Sequence, residues 1–165
     1  MTKGTKDPDK TNVMRILDSR KIHYNIYTYD PNPALTGAEI AGILKEPADR
    51  VFKTLVTQGR TNRFYVFIVP VKAELDLKKA AKAVGEKSID MIHQKDLLPL
   101  TGYVHGGCSP IGMKKAFPTL IHETALKMER IFISAGRVGA QIEISTEDLL
   151  HTVSAGYADL ISQSV

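Results

Sequence analysis

At 165 residues with 43% hydrophobic side chains, the chain has the size at which one domain buries a self-sufficient core. No run approaches the roughly 20 consecutive apolar residues of a membrane helix, and the opening MTKGTKDPDK has no apolar signal region, so a cytoplasmic protein with no membrane partner is expected. The lone Cys108 excludes an internal disulfide and a cysteine-rich zinc site, while a net charge of +4 and a pI near 9.1 favour an anionic partner.

Polar residues dominate 1–11, which reads as a flexible N-terminal tail, with one domain over 12–165. Val13, Ile16 and Leu17 recur at helical spacing, and Ile22 to Tyr29 turns to strand-forming residues before Asp30-Pro31-Asn32-Pro33 forces a loop. Thr36 with Glu39 makes a capping box for a short helix with Ile40, Ile43 and Leu44 inward, stopped by Pro47. Val51 to Thr57 and the almost wholly apolar Phe64 to Pro70 predict two paired strands around a turn at 58–62, the second buried on both faces. Asp76 caps a helix with Leu77, Ala80, Ala81 and Val84 on one stripe and Gly85 at its end.

Further on, Ile89 to Ile92 predicts a short strand, Lys95 to Leu98 a helical turn, and Tyr103 to Val104 a strand entering a loop with three glycines and a proline over 106–112. Strands follow at Leu120 to Ile121, Ile131 to Ser134 and Gln141 to Ile144, and Thr146 to Val153 closes as a helix. Short strands among few helices, without regular βαβ alternation, predict a single-domain α+β fold whose mixed sheet curls toward a barrel and is flanked by helices.

Lys53 falls mid-strand on the face of Val51 and Leu55, where an ammonium group is costly unless it is paired, functional, or carried to water by a stem that covers apolar surface. The loop over 106–112 is able to aim several amide N–H groups at one point, a cradle for a phosphate or a developing oxyanion, or else it is an ordinary tight connection. Cys108 lies three residues after His105, which invites a thiol nucleophile with an imidazole base; a small buried hydrophobe is the plainer reading of a lone cysteine. The five histidines lack metal-ligand spacing, so no metal and no cofactor are expected, and Glu147-Asp148 fits a helix's first turn.

Three blocks, Phe52-Lys53-Thr54-Leu55-Val56, Leu75 to Gly85 and Thr101 to Lys115 with its Gly106-Gly107-Cys108-Ser109-Pro110 loop, stand in the order seen in the YbaK/EbsC family; Ser134-Ala135-Gly136-Arg137 adds a fourth. The chain resembles that family from roughly Val13 to its C-terminus. The resemblance implies a domain related to the editing domain of prolyl-tRNA synthetase, acting in trans as a deacylase of mischarged Cys-tRNA(Pro). It implies that the cysteine substrate's own thiol attacks its ester carbonyl, with a transient complex with prolyl-tRNA synthetase. Carried over residue by residue, it implies catalytic roles for Lys53 and Gly106 and substrate contacts from Tyr29, Thr54, Gly107, Cys108, Ser109, Pro110 and Ser134. Two positions depart from the pattern: Leu35 or Thr36 stands where an aromatic residue is common, and Val138 where a basic one is usual. Editing of an alanine, serine or threonine ester is one alternative, and a non-catalytic module that binds nucleotide or RNA phosphates is another.

Overall fold

A computed structural model describes residues 10–162. The expected tail lies outside the described residues over 1–9; Thr11 already belongs to the fold, its Oγ1 accepting from the Met14 amide at 3.2 Å to cap α1 (Asn12–Ser19). The strands form two hydrogen-bonded sheets. The smaller is antiparallel, with order β1 (Tyr24–Thr28), β7 (Ala140–Ser145), β6 (Arg130–Ser134). The larger is mixed, with order β4 (Ile89–Met91), β2 (Phe52–Gly59), β3 (Phe64–Pro70), β5 (Thr119–His122), β8 (Gly156–Ala158). A bridge between Val51 and Phe132 brings β2 to β6 and joins the two. The mixed α+β reading therefore holds, with the curl taken up at a seam between sheets.

The apolar run of β3 faces two cores. Ile68 packs with Val13 and Leu17 of α1, Phe52, Ile121, Ile131, Ile133, Ile142 and Leu149. Phe67 and Val69 point the other way, onto Ala80 and Ala81 of α3 (Leu77–Val84). A third, smaller cluster sets Ala41 of α2 (Gly37–Leu44) against Val51 and Phe132 at the seam.

The helix ends follow their sequence signals. Thr36 and Glu39 form the full capping box of α2. Asp76 accepts from the Lys78 and Lys79 amides, and Gly85 ends α3 at φ 77°. The expected helical turn at 95–98 grows into α4 (Gln94–Thr101) with Pro99 inside it, and α5 spans Thr146–Thr152.

Three expectations are corrected. Ile43 and Leu77 are exposed because Ala41 and the Ala80-Ala81 pair already fill the space beneath their helices. Tyr103 to Val104 stays irregular, its amide bound to Thr101 Oγ1 rather than to a neighbouring strand. The strand β8 was not foreseen: three residues carry too little pattern to signal their parallel pairing with β5.

Candidate active site

A cavity of about 260 Å³ opens at the seam, where the start of α2, the first half of β2, the glycine loop and the ends of β6 and β7 converge. Packing of α2 fixes one wall, since a Cβ at Gly37 would lie 2.5 Å from Val71 Cβ. From β2 come Lys53 and Thr54, which the two-residue period sends to opposite faces but which both reach the cavity where the sheets meet. Lys53 is half-buried and enters no ion pair among the described residues. Thr54 Oγ1 is buried and has no hydrogen-bond partner there.

From β6 and β7 the cavity takes Ser134 and Gln141, both buried. Gln141, 5% exposed, donates from Nε2 to Tyr29 Oη at 3.4 Å, which leaves its Oε1 buried and unpartnered. Burial raises the Tyr29 hydroxyl pKa, against the lowering effect of the Gln141 bond. Ser134 Oγ accepts from the Gly136 amide at 3.1 Å and thereby shapes the turn between β6 and β7.

His105, Gly106 and Cys108 supply the glycine-loop edge, with Gly106 in the left-handed region at φ 86°. The loop is braced from within: the Tyr103 hydroxyl donates to the Ile111 carbonyl, the Ile111 amide to Ser109 Oγ, and the Gly107 amide to the Val104 carbonyl. The amides of Gly106 and Cys108, two residues that line the cavity, have no backbone partner among the described residues. A thiolate at Cys108 is disfavoured, because burial pushes its thiol up to about 12, opposite to the activation a nucleophile needs.

Of the residues expected from sequence, Lys53, Thr54, Gly106, Cys108 and Ser134 line the cavity, and Tyr29 stands one hydrogen bond behind Gln141. Three do not reach it. Gly107 is packed on the Arg137 backbone, fully buried Ser109 braces the loop, and Pro110 faces a separate surface depression beside Arg20 and Lys115. A larger depression of about 680 Å³ along β4 contains no expected site residue and, among the described residues, no buried side-chain polar atom without a partner. Gln141 was missed as a site residue because in sequence it is one of three polar residues alternating with apolar ones along β7, which reads as an ordinary half-buried strand. Among the described residues no three His, Cys, Asp or Glu side chains form a group able to hold a metal ion.

A mixed α+β domain with a cavity that offers buried oxygen acceptors, a lysine and a glycine-loop edge is built to bind a small polar group and polarise it. The profile of the aminoacyl-tRNA editing domain matches residues 31–152, and the chain belongs to that family. It is 44% identical to the Enterococcus faecalis "Putative Cys-tRNA(Pro)/Cys-tRNA(Cys) deacylase EbsC", over 96% of this chain and 97% of that one. It is 28% identical to a proline–tRNA ligase of Thermosipho africanus, the match covering 66% of this chain and 18% of the ligase. A solved "putative trans-editing enzyme for prolyl tRNA synthetase" superposes with a TM-score of 0.83 at 26% identity, covering 96% of this chain and all of that one.

Proposed function

We propose that the protein is a trans-acting aminoacyl-tRNA deacylase that removes cysteine from tRNA(Pro) in the cytoplasm, in transient complex with prolyl-tRNA synthetase. One observation carries the reading: Thr54 Oγ1 and Gln141 Oε1, both buried and unpartnered, share one small cavity with Lys53. A buried polar atom without a partner is costly, and two acceptors in one cavity match the α-ammonium of an aminoacyl ester. Lys53 then orients the ester by charged hydrogen bonds, and the amides of Gly106 and Cys108 receive the negative charge that grows on the carbonyl oxygen.

The cysteine substrate's sulfur attacks its own carbonyl carbon; the new C–S bond closes a cyclic thiolactone as the bond from carbonyl carbon to ribose oxygen breaks. The thiol proton passes to that ribose oxygen, freeing the tRNA, and water later opens the thiolactone. A cavity that holds thiol and carbonyl in near-attack geometry supplies up to about 7–11 kcal/mol in the best intramolecular cases, so the protein needs no nucleophile of its own. This agrees with the raised pKa of Cys108. A second sieve is warranted because a synthetase pocket separates ligands as similar as cysteine and proline by only about 1–3 kcal/mol.

Single-turnover deacylation of Cys-tRNA(Pro) and Ala-tRNA(Pro), with Lys53→Ala as control, tests the proposal. Fast Lys53-dependent loss of cysteine with alanine spared is expected. Loss of alanine with cysteine spared overturns the substrate assignment, and loss of neither overturns the deacylase reading.

A further inference from the structure

Three arginines are half-buried: Arg50, Arg130 and Arg137. The first two share an acidic partner, Arg50 reaching Glu143 at 3.2 Å and Arg130 reaching it at 3.9 Å, and Arg50 adds Glu46 at 3.3 Å. Arg137 differs. It enters no ion pair among the described residues, and its Nε is buried without a hydrogen-bond partner. A guanidinium is always charged, and an unsatisfied buried donor on it is a cost that a bound anion relieves.

The place of Arg137 narrows what that anion is. Its backbone touches the glycine loop: a Cβ at Gly107 would stand 2.9 Å from Arg137 Cα, and Gly107 adjoins Gly106 on the cavity wall. Three residues earlier, Ser134 lines the same cavity. The turn carrying Arg137 is clamped from the other side as well, since the Tyr29 amide donates to the Gly139 carbonyl at 2.9 Å. A guanidinium without an ion-pair partner among the described residues, on a braced turn whose backbone meets the glycine loop of the cavity, suits a phosphate one group removed from whatever enters the cavity.

We infer that Arg137 binds the phosphodiester on the 5′ side of the terminal ribose of the tRNA, anchoring the 3′ end while the aminoacyl ester occupies the cavity. The inference rests on the deacylase reading above. The anchor acts equally on ground state and transition state, so its loss is felt in KM and not in kcat. Arginine's forked donors make lysine an incomplete substitute.

The test compares two esters of cysteine: one on a CCA trinucleotide, which carries the phosphate, and one on adenosine, which lacks it. For Arg137→Ala, kcat/KM on the trinucleotide ester is expected to fall about ten- to a hundredfold, through KM, with the adenosine ester cleaved at the wild-type rate. Arg137→Lys restores part of the loss. Binding of uncharged CCA loses about 0.7 from the slope of log K against log salt, the signature of one phosphate contact on a single strand. An equal loss on both esters, or no loss on either, overturns the anchor while leaving the deacylase intact. Wild-type protein that cleaves neither ester overturns the deacylase reading, and the anchor with it.

Discussion

Replacing Gly107 by alanine puts a methyl group 2.8 Å from the Arg137 carbonyl carbon and 2.9 Å from both Arg137 Cα and the Val138 nitrogen. All three are backbone atoms, so no side chain is able to swing aside; the glycine loop and the turn between β6 and β7 have to separate. Overpacking of this kind costs about 1–3 kcal/mol, and at about 2–4 °C per kcal/mol for a domain of this size the melting temperature drops by roughly 2–12 °C. The functional loss is larger, because a misplacement of about 1 Å at a reacting centre costs on the order of a hundredfold in rate. Gly42→Ala is the control: this exposed position within α2 has nothing within 4 Å of an added Cβ, and the change stabilises by up to about 1 kcal/mol. Thermal unfolding followed by circular dichroism, paired with single-turnover deacylation, reads both effects. A Gly107→Ala protein that melts and deacylates like the wild type would refute the close contact between loop and turn, and with it the way the cavity edge is held.

Thr54→Val should leave folding unchanged or slightly firmer, because the lost hydroxyl has no partner in the folded protein, yet slow deacylation by about tenfold or more; a large fall in melting temperature would mean that the hydroxyl is bonded after all. Cys108→Ala should keep the chemical step, and a loss beyond about a thousandfold, the scale of a removed nucleophile, would revive the thiol mechanism. The protein should also lose stability as pH falls below His122's ordinary value of 6.5. His122 is buried, its Nδ1 accepts from the Leu160 amide at 3.1 Å, and burial lowers its pKa against the raising pull of Asp159. The unfolded chain therefore takes up the proton first; stability is full above about 6.5 and declines toward the lowered folded value. Urea titrations across that interval, with His122→Gln as the flat comparison, measure the slope, and equal slopes for both proteins would exclude His122 as its source.

Local signals settled the elements whose partners lie nearby in the chain. The Thr36–Glu39 box, the Asp76 cap and the Gly85 terminus act over one helical turn, and β2 and β3 are joined by a short turn, so each was legible in the order of residues. The two-faced burial of β3 was legible too, because a strand without polar positions has no side to give to water. Parts of the cavity wall, Lys53, Thr54, Gly106, Cys108 and Ser134, were marked by family motifs rather than by any spacing that reveals chemistry.

Long-range packing decided the rest. Gln141 shares a cavity with Thr54 only because the Val51–Phe132 bridge joins sheets whose strands lie some eighty positions apart. Gly107, Ser109 and Pro110 left the wall because the Tyr103 hydroxyl and the Arg137 backbone fold the loop inward. Sequence by itself determined the local dihedral preferences and the apolar periodicity, which act between near neighbours. Tertiary structure alone decided which buried polar atoms remain unpaired, since that depends on every group brought within hydrogen-bond reach, wherever it stands in the chain.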